Sequence, residues 1–205
     1  QEIENIEVFE KAQAAGRGVL LLMPHLGCWE FMNVFLKGRT KVSALYDKPN
    51  VSGLDDFITS TREKFGARMF PINIGGLRQV FKSLERNELC VFLPDQVPDY
   101  GARGFIGTFF GHDAFTSDLV HRVIRRYDSE IIFGSVVRDF SEGRVKYRIC
   151  FEKPADEIYA KDVGVHISSL NSSLERLVKK APEQYQWSYK RYKRLNKSEK
   201  NIYRR

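Results

Sequence analysis

No apolar run in the 205 residues reaches the roughly 18 needed to cross a bilayer as a helix, so nothing within this sequence reads as a membrane span. Cysteine is scarce. Cys28, Cys90 and Cys150 are odd in number and far apart, which excludes a disulfide scaffold; each lies among apolar neighbours and reads as a reduced core residue of a cytosol-facing protein. No cluster of His, Cys and carboxylate has metal-ligand spacing, and no metal is expected. There is no internal repeat and no low-complexity segment. No RNA-binding motif is present, and no basic face belongs to the body of the chain, so nucleic acid is not an expected partner. The chain opens at Gln1 without a methionine, and its silence about an upstream signal or anchor carries no information.

What is present is a globular composition, 42% hydrophobic and 13% aromatic, long enough for one domain with a full core. The formal charge of +7 is unevenly placed. Between Ser188 and Arg205 stand eight Lys/Arg against one acid, Glu199, while the rest of the chain balances. Such an end suits an anionic partner or a solvated tail. The reading divides the chain into a domain over 1–194 and a basic tail over 195–205.

Chemistry-bearing residues concentrate in one stretch. Val19 to Met23 has the length and apolarity of a core strand. Pro24 ends it, because proline cannot extend a central strand. His25 then sits just past a strand's C-terminal end, where open α/β sheets place their ligands. Glu30 follows five positions on. A carboxylate on one ring nitrogen would fix the tautomer and make the other a better base, which predicts a His25–Glu30 pair if the first turn is irregular. On a regular helix five positions subtend about 140°, and the two would point apart. A lone histidine at a strand end is more often a hydrogen-bonded turn residue than a base.

Elsewhere, helices are predicted over 2–15, 31–36, 54–65, 77–84, 118–127 and 162–180, the last with Val163, Ile167, Leu170, Leu174, Leu177 and Val178 on one face. Strands are predicted over 41–46, 69–72 and 89–93. Two more, over 131–138 and 145–151, would form an antiparallel hairpin at one sheet edge. Gly75 and Gly76 read as a break before a helix. Val97 to Thr116, rich in glycine and phenylalanine, reads as a long functional loop. The fold expected is α/β: a mostly parallel central sheet flanked by helices, with an antiparallel edge hairpin.

Three stretches together resemble the lipid A late acyltransferases, a branch of the lysophospholipid acyltransferase superfamily. They are Pro24-His25-Leu26-Gly27-Cys28-Trp29-Glu30, then Leu93-Pro94-Asp95-Gln96 followed by Phe109-Phe110-Gly111, and Ala181-Pro182-Glu183-Gln184-Tyr185-Gln186-Trp187 running into Arg191. The first matches the H-x4-D/E signature of the superfamily, and the third is the more specific. The resemblance implies a lysophospholipid-acyltransferase-like fold and an O-acyltransferase. His25 would be the general base, oriented by Glu30, with Arg62 and Asp95 completing the catalytic set. Trp29, Arg68, Gln96, Phe109 and Arg191 are the implied substrate-binding residues; Trp29, Phe31, Phe105 and Phe109 are candidates for an acyl groove. The acyl donor would be a thioester on acyl carrier protein, or acyl-CoA, with no cofactor. The acceptor would be a lipid A precursor, reached by peripheral association with the anionic cytoplasmic leaflet of the inner membrane. The family also carries an N-terminal membrane anchor; its absence here is what a piece of a longer protein would show. Departing from the family, Asp118, His121, Arg122, Arg125 and Arg126 make a usually small, glycine-containing region polar and basic. Two rival readings stand beside it: acylation of a lysophospholipid or other glycolipid, and a nonenzymatic lipid- or nucleic-acid-binding module working through the tail.

Overall fold

A computed structural model describes residues 2–48, 54–98, 101–141, 143–193 and 203. In chain order the elements are β1 (Glu2–Glu4), α1 (Ile6–Ala14), β2 (Val19–Leu22), α2 (Phe31–Leu36), β3 (Val42–Tyr46), α3 (Leu54–Lys64), β4 (Ala67–Pro71), α4 (Ile74–Glu85), β5 (Leu89–Phe92), β6 (Gly104–Phe109), β7 (His112–Ser117), α5 (Leu119–Arg126), β8 (Glu130–Asp139), β9 (Lys146–Glu152) and α6 (Val163–Lys180), with single 3₁₀ turns at Asp156–Tyr159 and Pro182–Gln184. Seven strands form one sheet in the order β1-β9-β8-β2-β5-β3-β4. All pairings are parallel except β8 with β9.

β2 and β5 are apolar at every position because both faces of the sheet are covered there. Along β2, Leu20 and Leu22 enter one core and Val19, Leu21 and Met23 the other, the period-2 consequence of strand geometry. The first core is roofed by α4, α5 and α6. Ile167, Leu170, Leu174, Leu177 and Val178 are fully buried there, at roughly 2 kcal/mol each. The second is roofed by α1 and α2 through Val8, Phe9, Ala12, Met32, Phe35 and Leu36.

Four expectations are corrected. Glu2–Glu4 is a strand, parallel to β9, and α1 starts only at Ile6. The β8–β9 hairpin is therefore covered at the edge by β1. Three residues, Glu2-Ile3-Glu4, are too short a run for their alternation to be told from the start of a helix; Ile3 faces the core and the backbone does the pairing. Gly75 and Gly76 lie inside the first turn of α4: the Asn73 side chain accepts from the Gly76 amide at 2.8 Å, and a Cβ at Gly76 would lie 2.0 Å from the Pro71 carbonyl oxygen. The glycines there allow close backbone approach. Most of the stretch read as a loop over 97–116 belongs to an antiparallel hairpin running from Gly104 to Ser117, laid along α6 and pinned by Asn171 on Thr108 O and Glu175 on the Phe110 amide. Its glycines masked the alternation that marks a strand.

Candidate active site

β2 and β5 are neighbours in parallel register, with Leu22 opposite Phe92. Each runs one residue further, meets a proline, and delivers a titratable side chain three positions past the paired residue. His25 and Asp95 thus arrive side by side at the C-terminal edge of the sheet. Both carboxylate oxygens are used: Oδ2 accepts from the His25 amide at 2.8 Å and Oδ1 from ring Nδ1 at 2.7 Å. Asp95 is 2% exposed and His25 side chain 17%. An ionised carboxylate on Nδ1 holds the proton there and leaves Nε2 as the basic nitrogen.

The loop carrying His25 is stitched down from behind. The amides of Leu26, Gly27 and Cys28 donate to Pro24, Gln184 and Val136, and the His25 carbonyl accepts from Gln186. The Gln184 side chain bonds both backbone groups of Arg138, at 2.9 and 2.8 Å. Gly27 has φ +62°, and a Cβ on it would meet the Val136 oxygen at 2.2 Å. Only glycine suits the position, on conformation and on space.

Behind Asp95 lie Tyr185 and Arg191. Burial, then the negative charge of Asp95 and a hydrogen bond to it, push the Tyr185 phenol far above its ordinary value. The Arg191 guanidinium is 3% exposed and donates to Phe115 O and Thr116 Oγ1. Burial lowers its pKa, and the Asp95 charge opposes that.

Glu30 does not supply the carboxylate at Nδ1; it forms a bidentate pair with Arg62, through Arg62 Nε at 3.1 and 3.2 Å and through Nη2. Glu30 directly precedes α2 without capping it, and its side chain reaches Arg62 of α3 rather than back to the ring. Trp29 joins the two groups: its ring is 5.5 Å from that of His25, and the Arg62 guanidinium lies 5.4 Å from it. His25, Trp29, Glu30, Arg62 and Asp95 are therefore brought together.

Three other expected site residues are elsewhere. Arg68 pairs with Glu88 and reaches Ser43 and Ser83. All lie at or beside the N-terminal ends of β3, β4 and β5, the opposite end of the sheet from His25. Phe109 is 1% exposed, packed against Phe110, Tyr185 and Arg191 as a core residue. Arg191 is buried and bonds Phe115 O and Thr116 Oγ1 of β7, on the core side of Asp95. Gln96 is half-buried beside Asp95. Of the aromatic groove candidates, Phe31 stacks on Tyr147 at 4.3 Å and Phe105 is exposed on the hairpin. In the sequence Tyr185 and Gln184 are only letters of the third motif; their places depend on contacts with Asp95 and Arg138, which no local pattern encodes.

The family described as bacterial lipid A biosynthesis acyltransferase matches residues 1–194. The chain belongs to that family. Among curated members, it is 28% identical over 211 residues to the lipid A biosynthesis palmitoleoyltransferase of Escherichia coli (strain K12), covering 98% of this chain and 64% of that protein. It is 25% identical over 199 residues to the lauroyltransferase of the same organism, covering 94% and 61%. To the myristoyltransferase it is 22% identical over 205 residues, covering 98% and 62%. The chain thus spans a little under two thirds of the length of these family members. Among the described residues, no helix is long and apolar enough to cross a membrane.

Proposed function

We propose that the protein is an O-acyltransferase that moves a fatty acyl chain from a thioester on acyl carrier protein to a hydroxyl of a lipid A precursor, with His25 as general base. The observation that carries this reading is the two-point contact of Asp95 with His25 at the sheet edge, in a chain of this family. His25 Nε2 takes the proton of the acceptor hydroxyl as its oxygen attacks the thioester carbonyl. Asp95 stabilises the imidazolium that results. The tetrahedral intermediate expels the thiolate, which recovers the proton from His25 Nε2. The amides of residues 25–28 are spent within the protein, so the oxyanion needs a side-chain donor. Arg62, held by Glu30 and beside Trp29, fits that role. The reaction requires no cofactor.

Membrane association is the second half of the reading. Ile72, Ile74, Phe140 and Trp187 are 57%, 72%, 62% and 53% exposed. Ile72 and Phe140 follow the C-terminal ends of β4 and β8, and Trp187 follows the segment bonded to His25. An apolar rim on the same end as the base suits an acceptor presented at the cytoplasmic face of an inner membrane. The basic tail over 195–205 lies, apart from Tyr203, outside the described residues; Tyr203 stacks on Tyr192.

The test is transfer from acyl carrier protein to a phosphorylated disaccharide lipid A precursor, with wild type beside His25→Ala. Loss of about 10²–10⁴-fold with unchanged melting is expected. Activity within a factor of two of wild type would sink the base assignment. Supplying a lysophospholipid acceptor, and acyl-CoA as donor, in parallel decides acceptor and donor class.

A further inference from the structure

Away from His25, a concavity of about 880 Å³ opens between the base of the β6–β7 hairpin, α5 and the residues leading into α6. It lies at the first residues of α6, whereas His25 is bonded beyond the last; the 18 residues of that helix span about 27 Å. Among the described residues, five cations line it, Arg103, Arg122, Arg125, Arg126 and Lys161, against two carboxylates, Asp118 and Asp162. Both carboxylates are committed. Asp118 pairs with Arg103 at 3.3 Å and Arg122 at 2.9 Å, and Asp162 caps α6 by accepting from the Val165 amide at 2.9 Å. Arg125, Arg126 and Lys161 have no carboxylate partner among the described residues.

Arg122, Arg125 and Arg126 sit at i, i+3 and i+4 of an eight-residue helix, where like charges crowd and weaken it. Asp118 offsets the charge of Arg122, and the C-terminal end of the helix dipole favours Arg125 and Arg126, but no carboxylate among the described residues neutralises those two. His121 forms part of the wall, its Nε2 on the Lys161 carbonyl at 3.1 Å and its ring against the buried His166 at 5.1 Å, which fixes Lys161 beside α5. Phe105 and Phe115 supply apolar walls. Forked guanidinium groups suit phosphate oxygens, and a cavity of this volume takes a ligand of nucleotide size.

We propose that this groove is a site, separate from the acyl-transfer centre, for a ligand bearing phosphate groups on an apolar or aromatic body. Arg125, Arg126 and Lys161 receive the phosphates; Phe105 and Phe115 face the body. The source is either a free phosphorylated molecule or a lipid headgroup. Calorimetric titration with inorganic pyrophosphate at low salt, and co-sedimentation with phosphatidic acid vesicles against phosphatidylcholine vesicles, separate the two. We expect saturable binding of at least one probe, weakened at least tenfold by R125E/R126E. His25→Ala, and R78E/K82E on the exposed face of α4, leave it unchanged, so failure of the acyl-transfer reading would not remove it. Pyrophosphate binding without vesicle preference assigns a free ligand; retention on phosphatidic acid that R125E/R126E abolishes assigns a headgroup. Absence of saturable binding to both probes, or equal weakening by both double variants, would overturn the proposal.

Discussion

Replacing Asp95 by Asn separates the geometry described here from the pairing that the H-x4-E spacing suggests. The wild-type carboxylate accepts twice from His25, once from the backbone amide and once from Nδ1. An amide has one acceptor and one donor end. If its oxygen stays on the backbone N–H, its NH₂ faces Nδ1, which must then accept; the proton moves to Nε2 and the base is lost. If it turns over, two donors face each other at a position only 2% exposed. Either way the rate falls by about 10³-fold, close to 4 kcal/mol in the barrier. The substitution also removes the charge opposite the buried Arg191 guanidinium. Because Arg191 keeps its bonds to Phe115 O and Thr116 Oγ1, the loss of stability should be smaller than that of a broken buried pair, and Tm should fall by only a few degrees. Glu30→Gln, by contrast, loosens a half-exposed pair with Arg62 and leaves the His25 tautomer intact. The assay is kcat and Tm for both variants, with ¹⁵N NMR of the His25 ring. A wild-type ring protonated on Nε2, or a Glu30→Gln variant that shifts the tautomer while Asp95→Asn does not, would refute the reasoning.

Three further outcomes are expected. Gly27→Ala forces a left-handed φ and a 2.2 Å clash with the Val136 oxygen; it should cost more than about 2 kcal/mol in a denaturant titration and displace the His25 loop. His166 is fully buried, and burial pushes its imidazole from 6.5 down to about 4 against a hydrogen bond to the Ile158 carbonyl. The unfolded chain protonates first as pH falls, so stability intact above pH 6.5 is lost progressively toward pH 4, by about 3 kcal/mol. In His166→Phe the acid slope over that window should be shallower by this amount; an unchanged slope would place the acid sensitivity elsewhere. Reversing Lys193, Arg194, Lys197 and Lys200 should weaken binding to anionic vesicles and slow turnover of membrane-presented acceptor while sparing detergent-dispersed acceptor, with added salt mimicking the change. Equal vesicle binding at low salt would make the tail a solvated end.

Strands, helices and their alternation were legible in the sequence because they depend on short-range periodicity. The face of α6, the buried run of β2 and the proline that stops it are all local signals. They also placed His25 at a strand end. Even Asp95 had a signal: Phe92-Leu93-Pro94-Asp95 repeats the apolar–proline–titratable order of Leu22-Met23-Pro24-His25. What the sequence by itself left open was which partners meet. Glu30 is five positions from His25 and Asp95 is 70 away, yet the adjacency of β2 and β5 sets Asp95 on the ring and turns Glu30 toward Arg62. Strand order likewise made β1 the edge, sent Arg68 to the far end of the sheet and buried Phe109 and Arg191. Those outcomes rest on sheet order and on backbone pairing, and backbone groups are the same in every residue, so no side-chain pattern announces them.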